Sequence, residues 1–461
     1  MSLEITLKKF GQDHLLRHLS KLAPGERTAL EGQLTKIDFE VLQRLVAGED
    51  VGPNWVDLAA SAEPPPAIRL KEPKPKFEPG AARAAGEKAL RDGRLATIIV
   101  AGGQGTRLGF EHPKGMFPVG PLSGRTLFQM LADRLLAVMK RYKVSIPMYV
   151  MTSPATDAET REYFDQNRRC GLAKDQLIIF CQGTMPAVDA NSGKLLLECP
   201  GSLAVSPDGH GGLISALDKN GCLADAASRG IEHFFYAQVD NPLVQLCDPG
   251  LIGYHVLSAS QVTTQVVRKR FAKEKVGNVV GFHGKIQIIE YSDLPDSAAE
   301  QILDDGSLKL WAGNIAVHLF ERLFLQSVLD DTESLPFHRA HKAVPYLNES
   351  LELVKPEKPN AIKFERFVFD LLPLAERSIV VEGDAAEVFA PVKNADGSTF
   401  DTPELSKAAL CKLHRGWLEA AGVSIMPDVK VEIHPAWALD ADEVREKVGN
   451  ECKISFDTFL R

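Results

Sequence analysis

The chain is predicted to be an α/β protein built on a mixed, mainly parallel sheet with helices on both faces. Three observations predict this class. Short apolar strand patterns alternate with helical patterns from about residue 95 to residue 380. The composition, 44% hydrophobic and 25% charged, is that of a globular protein. The length of 461 residues gives room for more than one domain.

Residues 1–80 are predicted to form a helical N-terminal cap and a connector. Leucines recur at helical spacing over residues 5–48, with a break at Pro24-Gly25. Residues 61–80 contain six prolines, which cannot continue a helix. We therefore expect an extended connector between the cap and the rest of the chain.

Residues 81–390 are predicted to form the main domain. It opens with a short helix and a buried strand, LATIIV, that leads into a glycine loop. Further helices are expected in TLFQMLADRLLAVMKRY and ATDAETREYFDQN, and further strands in IPMYVMTS, DQLIIFCQG and HFFYAQVDN. The segments QVTTQVVRK and GNVVGFHGKIQIIEYSDL read as strands and a hairpin, so we expect an antiparallel insertion there.

Residues 391–461 are predicted to form a small C-terminal lobe. A helix over residues 401–421 has Asp401 or Thr402 as its N-cap and Pro403 in its first turn. The segment VKVEIHP then reads as a strand.

Composition excludes several classes of protein. With 53 Lys and Arg against 61 Asp and Glu, the formal net charge is -8, so no nucleic-acid partner is expected. The seven cysteines include no C-x-x-C pair, which argues against a disulfide framework or structural zinc. No apolar run reaches membrane-spanning length, and MSLEITLKKF lacks the apolar core of a signal peptide. We expect a cytoplasmic protein with no membrane partner.

The most informative segment is IIVAGGQGTRLGFEHPKG, residues 98–115. Closely spaced glycines after a strand let backbone N–H groups approach a phosphate. A P-loop would need Lys after the last glycine, but Gly105 is followed by Thr106. A dinucleotide site would need an acidic residue about twenty positions on, where this chain has Arg125 and Thr126.

A third class, the sugar nucleotidyltransferase loop, fits better. Its pattern G-G-x-G-T-R-L with a later P-K corresponds to Gly102–Leu108 followed by Pro113-Lys114. Arg107 and Lys114 would be two fixed cations beside the glycines, and a nucleoside triphosphate carries about four negative charges. Glycines alone would indicate no more than a turn from strand to helix; the cations make the phosphate hypothesis the better one.

From these motifs the chain resembles the UDP-N-acetylglucosamine pyrophosphorylases, of the eukaryotic-type UDP-sugar pyrophosphorylase group. The resemblance continues, in order along roughly residues 95–400, through CQGTMPAV, PDGHGGL, AQVDNPL, EKVGNVVGFHGKIQIIEYSDL, AGNIAVHLF, PNAIKFERFVFD and APVKNADG. It implies a Rossmann-like, GT-A-like nucleotidyltransferase core as the catalytic domain. The helical cap and the C-terminal lobe also fit this layout.

The resemblance implies contacts with UTP. The backbone of the glycine loop would hold the triphosphate through Ala101, Gly102, Gly103, Gly105 and Thr106. Gln182 follows a strand, and its amide offers the donor and acceptor that match the imide edge of uracil. Gly209 would allow close backbone approach to the base and sugar.

The resemblance also implies the charged centre. Arg107, Lys114 and Lys393 would be the catalytic cations, with Lys393 approaching the sugar 1-phosphate. Asp240, just after an apolar strand, would hold Mg²⁺ as the cofactor. Without the resemblance, Asp240 would be interpreted as a turn or cap residue and Lys393 as a solvated surface lysine.

The sugar pocket implied by the resemblance draws on several later motifs. Its expected members are His210, Gly277, Glu290, Tyr291, Asn314, Phe367 and Phe369. His210 departs from the N-acetylglucosamine enzymes, which have G-N-G-G here, and histidine resembles UDP-glucose and broad UDP-sugar enzymes instead. The retained aromatics Phe367 and Phe369 favour N-acetylglucosamine.

The implied reaction converts UTP and a hexose 1-phosphate, with N-acetylglucosamine 1-phosphate favoured, to a UDP-sugar and pyrophosphate. A UDP-glucose or broad UDP-sugar pyrophosphorylase is the alternative. A catalytically silent nucleotide-sugar sensor is disfavoured because Arg107, Lys114, Asp240 and Lys393 are all retained. A nicotinamide oxidoreductase is disfavoured by the loop pattern. The sequence leaves the oligomeric state open.

Overall fold

A computed structural model describes residues 2–49, 55–72, 74–329, 335–449 and 452–461. Packing of Cα atoms divides the chain into two units, each assembled from three separate stretches. We name them the sheet unit, which is Trp55–Cys181, Ala216–Leu329 and Leu371–Arg461, and the accessory unit, which is Met1–Asn54, Gln182–Ser215 and Asp330–Asp370. The expected contiguous division into 1–80, 81–390 and 391–461 has other boundaries and stays a prediction.

Elements are numbered in chain order within the described residues. The α-helices α1 to α16 are Leu3–Lys9, Asp13–Leu19, Pro24–Leu34, Phe39–Ala47, Trp55–Ser61, Pro79–Arg91, Leu127–Tyr142, Asp157–Gln166, Leu213–Lys219, Cys222–Ser228, Pro249–Leu257, Asp296–Ala299, Arg322–Ser327, Ala385–Val388, Pro403–Ala420 and Ala441–Lys447. The strands β1 to β23 are Ala67–Ile68, Leu95–Val100, Met148–Thr152, Leu177–Cys181, Thr184–Pro186, Val188–Asp189, Leu197–Cys199, Ser202–Leu203, Val205–Pro207, His233–Gln238, Val262–Arg268, Asn278–Phe282, Lys285–Ile289, Ala312–Glu321, His338–Lys342, Tyr346–Leu347, Leu353–Val354, Ala361–Glu365, Ser378–Glu382, Ser424–Ile425, Val431–Ile433, Lys453–Ile454 and Thr458–Leu460.

The central sheet of the sheet unit follows the order β1-β19-β11-β14-β10-β2-β3-β4. Every neighbouring pair on this path is parallel except the two pairs made by β14, which runs antiparallel to β10 and β11. The apolar runs of β2, β3 and β10 are buried along almost their whole length, as strands of a covered parallel sheet are. The predicted α/β class with a mixed, mainly parallel sheet is confirmed.

The expected antiparallel insertion consists of the hairpin of β12 and β13 alone, joined to β14 at one residue. The expectation was wrong for QVTTQVVRK, which forms β11 within the central sheet and pairs in parallel with β19. His283 and Gly284 connect the two strands, with φ angles of 47° and 76°. Two consecutive positive φ angles are typical of the hairpin turn whose twist matches that of the flanking strands. The hairpin therefore has a fixed register, which decides where the residue after β13 lies.

Helix α7 shows how the sequence begins a long helix at a defined residue. Thr126 accepts a hydrogen bond from the N–H of Gln129, and the Gln129 side chain accepts one from the N–H of Thr126. The apolar face of the helix, including Phe128 and Leu135, is buried in the main core of the sheet unit. The predicted helix over this segment is confirmed within one residue.

The accessory unit buries the first four helices against short strands. The predicted helical region 5–48 consists of α1 to α4, and leucines at helical spacing, such as Leu15, Leu30 and Leu42, lie in one core. That core also contains Val188 and Phe364 from distant parts of the chain. The N-terminal cap thus owes its packing to strands that are remote in sequence.

The proline-rich connector contributes a strand. Ala67 and Ile68 form β1, which pairs with β19 at the edge of the central sheet. We expected only an extended linker over residues 61–80. Proline is tolerated just before an edge strand because its missing N–H costs no ladder hydrogen bond.

The C-terminal region has an apolar cluster of its own. Helix α15 begins after Thr402, whose side chain accepts from the N–H of Leu405, and Pro403 is the first helical residue as expected. Leu418 and Val431 belong to the cluster. Glu432 in β21 accepts hydrogen bonds from the N–H groups of residues 122 and 123 at 2.7 Å each.

No helix among the described residues is long and apolar enough to cross a membrane.

The buried histidines predict that the folded protein becomes less stable as the pH is lowered. Burial lowers the pKa of His233 and of His414 to about 4, and holds the pKa of His255 well below its ordinary value. The unfolded chain takes up protons at these side chains below about pH 6.5, whereas the folded chain does so only near pH 4. We therefore expect the free energy of unfolding to fall as pH is lowered from 6.5 to 4, measured by urea titration at several pH values.

A His255→Gln variant is the control for this pH dependence, since it removes one buried histidine. We expect its free energy of unfolding to depend less steeply on pH over the same range. A wild-type stability that is constant or rises on acidification would contradict the assignment of these histidines as neutral.

Candidate active site

The glycine loop follows β2 at the carboxyl end of the parallel strands. The N–H of Gly105 donates to the C=O of His112 at 2.8 Å, and the N–H of Lys114 donates to the C=O of Gly103 at 3.0 Å. These bonds fold the loop back on itself, so that Lys114 returns to the glycines. Sequence spacing alone, with Pro113 five positions after Leu108, did not require this return.

Two side chains that we did not predict anchor the start of the loop. Ser153 Oγ donates to the C=O of Gly102 at 2.8 Å, and Thr156 Oγ1 donates to the C=O of Ala101 at 3.5 Å. Both follow β3, the strand beside β2. Only the pairing of β2 with β3 shows that these two residues hold the neighbouring loop.

Lys114 and Asp240 form an ion pair at 3.1 Å between Nζ and Oδ2. Their side chains are 18% and 11% exposed, so the pair is largely shielded from solvent. Asp240 follows β10, the strand next to β2, and the C=O of Asp240 accepts the N–H of Val392 at 2.8 Å. The structure thus brings together Lys114, Asp240 and the segment leading to Lys393.

Arg107 and Thr106 lie in the 3-10 turn after the glycines and are exposed. Arg107 makes no ion pair with any residue that the structure describes. Its guanidinium is therefore available to an anion at the loop. Ala101 is buried, Gly103 is exposed, and Gly105 is buried beneath Phe110 and His112.

Three of the predicted sugar-pocket residues meet at the hairpin. The N–H of Asn314, in β14, donates to the C=O of Gly277 at 2.8 Å. A Cβ on Gly277 would lie 3.2 Å from Oε1 of Glu290 and 3.5 Å from the Cβ of Asn314. Close packing therefore explains glycine at position 277. Tyr291 follows Glu290, and its side chain is 49% exposed.

Lys393 lies in the sheet unit on the segment before α15. Its N–H donates to the C=O of Asp401 at 2.8 Å, and its Nζ is 5.7 Å from the ring centroid of Phe389. The role of Lys393 towards a ligand stays a prediction.

In the accessory unit, Gly209 and His210 pack against the segment that contains Phe367 and Phe369. Gly209 has a φ of 82°, and a Cβ there would lie 2.2 Å from the C=O of Arg366. The N–H of Val368 donates to Nδ1 of His210 at 3.0 Å. The His210 ring stacks on Phe367 with centroids 5.2 Å apart.

His210 is neutral near pH 7 for a physical reason. Burial, with a smaller contribution from nearby His338, lowers its pKa to about 4. Because Nδ1 accepts the Val368 N–H, the ring carries its proton on Nε2. His210 thus holds the Phe367 segment in position and has one N–H donor remaining.

We missed a largely buried hydrogen-bonded pair in the same unit. His338 Nε2 lies 3.0 Å from Oδ2 of Asp370, and the His338 ring is 4.2 Å from that of Phe367. Burial raises the pKa of Asp370, and the hydrogen bond from His338 opposes the rise. The two residues are separated by 32 positions, so sequence offered no signal that they pair. Gln182, also in this unit, is buried, and its predicted contact with uracil stays a prediction.

No three His, Cys, Asp or Glu side chains gather as a ready metal site within the described residues. Asp240 is the carboxylate that pairs with Lys114 of the glycine loop. A single carboxylate suffices for Mg²⁺ only where substrate oxygens and water complete its shell.

Comparisons with known proteins place the chain among related sequences. The family described as UTP–glucose-1-phosphate uridylyltransferase matches residues 63–437. UDP-N-acetylhexosamine pyrophosphorylase-like protein 1 of Homo sapiens is 38% identical over 94% of this chain and 87% of its own length. UDP-N-acetylglucosamine pyrophosphorylase of Saccharomyces cerevisiae is 41% identical over 76% of this chain and 74% of its own.

A solved structure is similar over nearly the whole chain. The uridine diphosphate N-acetylglucosamine pyrophosphorylase of Trypanosoma brucei, in complex with an inhibitor, has a TM-score of 0.82 and 27% identity. The match covers 99% of this chain and 98% of that one. The fold of the described residues is thus that of a known nucleotidyltransferase.

Substitution by alanine is expected to have different effects at two glycines of the loop. A Cβ on Gly105 would lie 2.7 Å from the C=O of Phe110, whereas a Cβ on Gly103 would meet no protein atom within 4 Å. We expect Gly105→Ala to destabilise the protein by about 1–3 kcal/mol, and to lower its melting temperature by several degrees. Gly103→Ala should melt like the wild type. Equal melting temperatures for both variants, measured by calorimetry, would refute the crowding argument.

Proposed function

The chain belongs to the UTP–glucose-1-phosphate uridylyltransferase family, and from that premise we propose that it converts UTP and N-acetylglucosamine 1-phosphate to UDP-N-acetylglucosamine and pyrophosphate. The relatives named as UDP-N-acetylglucosamine pyrophosphorylases support this choice of sugar. The single observation that carries the proposal is the shielded Lys114–Asp240 pair beside the glycine loop and Arg107.

The proposed reaction requires little proton transfer by the enzyme. The second pKa of a phosphate monoester is near 6, so the sugar phosphate is mostly dianionic at neutral pH and needs no general base. One of its oxygens attacks the α-phosphorus of UTP; a new phosphorus–oxygen bond forms as the bond to the β-phosphate breaks, and pyrophosphate leaves. The protein must align two mutually repelling anions and neutralise their charge.

The residues of the sheet unit suit that task. Backbone groups of residues 101–106 would bind the triphosphate, as the loop closure through Lys114 supports. Arg107, exposed and without an ion pair among the described residues, would hold phosphate oxygens with Lys114. Lys393 would approach the sugar 1-phosphate from the segment that is bonded to Asp240 through Val392.

Asp240 would hold Mg²⁺, the proposed cofactor. The donor set fits, because Mg²⁺ in nucleotide sites is bound by one or two carboxylates, by water and by phosphate oxygens. Lys114 occupies Oδ2 of Asp240, so the ion would share the carboxylate with this lysine. When bound, the ion would neutralise charge on the triphosphate.

The sugar pocket is proposed to use Gly277, Glu290, Tyr291 and Asn314. Glu290 would accept hydrogen bonds from sugar hydroxyls, and its proximity to Gly277 supports that role. In the accessory unit, Gln182 and Gly209 are the proposed base contacts, and Phe367 and Phe369 the proposed contacts of the N-acetyl group. UDP-glucose formation is the alternative, favoured by histidine rather than asparagine at position 210.

Removing either loop cation tests the reaction. We expect Arg107→Ala and Lys114→Ala each to lower kcat by at least about 100-fold, because each removes charge from the transition state. Pyrophosphate release from UTP and N-acetylglucosamine 1-phosphate with Mg²⁺ measures this. Lys140→Ala, an exposed lysine on α7, is the matched control and should have wild-type activity. Wild-type rates in both loop variants would remove these residues from the catalytic machinery.

A panel of sugar 1-phosphates tests the choice of sugar. We expect kcat/KM for N-acetylglucosamine 1-phosphate to exceed that for glucose 1-phosphate, and His210→Asn to change this ratio, since His210 fixes the Phe367 segment. A wild-type preference for glucose 1-phosphate would establish the alternative. No pyrophosphate release with any sugar would refute both.

A further inference from the structure

The segment that carries Lys393 is a closed loop. The N–H groups of Lys393 and Asn394 both donate to the C=O of Asp401, at 2.8 Å and 3.0 Å. Asn394 Nδ2 also donates to the C=O of Phe400 at 2.9 Å. Asp401 has a φ of 58°, a conformation that Asp and Asn adopt more readily than most residues. The backbone of Lys393 is therefore positioned by residues 400 and 401.

A second segment, residues 269–278, leads from β11 to the hairpin and contains Gly277. Lys269 Nζ donates to Oδ1 of Asn278 at 2.5 Å and to the C=O of Ala272 at 3.1 Å. Lys269 and Asn278 are both buried. At the far end, the C=O of Gly277 accepts the N–H of Asn314. This segment is thus fixed to the strands that carry the proposed sugar pocket.

Arg270 connects the two segments. Its N–H and its Nε donate to the two carboxylate oxygens of Glu274, each at 2.6 Å, and the Glu274 side chain is only 5% exposed. Nη2 of Arg270 lies 3.6 Å from Oδ1 of Asp401. The guanidinium is 4.9 Å from the ring centroid of Phe400, which also packs on Phe271 at 5.3 Å.

Only a guanidinium can make all these contacts together. One edge of the plane holds Glu274, a terminal nitrogen reaches Asp401, and the face lies near Phe400. Burial raises the pKa of Asp401, and the charges of Lys393 and Arg270 oppose that rise. The Asp401 carboxyl therefore lies within the field of both cations.

We infer that Arg270 is a positioning residue that holds the Lys393 loop at a fixed distance from the segment containing Gly277. The inference rests on the proposed function, in which Lys393 and Gly277 face the two ends of one sugar 1-phosphate. Arg270 then aligns the attacking phosphate oxygen without touching the substrate. A misplacement of about 1 Å at such a group can cost on the order of 100-fold in rate.

Arg270→Met tests the inference, with Lys273→Met as the matched control. Lys273 lies on the same segment but pairs with Asp296 and Glu300 at the surface. We expect Arg270→Met to lower kcat on the order of tenfold or more, while KM for UTP stays within about twofold. Lys273→Met should show wild-type kinetics. Arg270→Lys keeps the charge but loses the planar fork, so it should restore only part of the rate.

A double-mutant cycle separates positioning from general damage. If Arg270 acts through Lys393, Arg270→Met adds little to the loss already caused by Lys393→Met. Multiplicative losses would overturn the inference, as would wild-type kcat in a folded Arg270→Met variant. If Arg270→Met fails to fold, Asp401→Asn is tested in its place. Asparagine tolerates the left-handed backbone at position 401, and the change removes only the carboxylate. A wild-type kcat in Asp401→Asn would then overturn the inference.

A wild-type protein that releases no pyrophosphate would instead refute the proposed function itself.

Discussion

The common direction of the strands on either side of β14 is the constraint on which the candidate site depends. Because β2, β10, β11 and β19 all run parallel to one another, their carboxyl ends lie at one edge of the sheet. The glycine loop, Asp240 and the Arg270 segment each follow one of these strands. The antiparallel strand β14 crosses the same region and contributes Asn314 from within its length. Topology thus gathers residues that are more than two hundred positions apart.

Two of the cations at this edge, Lys114 and Arg270, are paired with carboxylates. At least one side chain is largely buried in each of the pairs Lys114–Asp240 and Arg270–Glu274. A buried charge without a partner would cost free energy of folding. The lysine that is proposed to bind phosphate is therefore neutralised by a carboxylate in the absence of substrate. Under the proposed function, an incoming triphosphate oxygen would compete with Asp240 for this lysine, and a bound Mg²⁺ would share the carboxylate with it.

In the accessory unit, one buried histidine holds an aromatic segment in place. His210 is held neutral by burial and accepts a backbone N–H from the segment that contains Phe367. The ring of His338, which pairs with Asp370, also lies against Phe367, with centroids 4.2 Å apart. A change at position 210 is therefore expected to act on the aromatic segment. The identity of residue 210 alone is a weak guide to the sugar.

The sequence by itself determined the α/β class, helices such as α7 and α15, central strands such as β2, β3 and β10, and the phosphate hypothesis for the glycine loop. Those features depend on local periodicity and on residue types within a few positions of each other, so the sequence alone can predict them. Comparison of motifs supplied Asp240, Glu290 and Asn314 as candidates, but gave no distances between them.

Only the tertiary structure decided which of these residues meet. Strand pairing brought Lys114 to Asp240, made the connector residues Ala67 and Ile68 an edge strand, and joined Ser153 to the loop after a different strand. It also paired His338 with Asp370 and Arg270 with the Lys393 loop. Contacts between residues tens to hundreds of positions apart follow from the order and direction of strands, and no local pattern encodes that order.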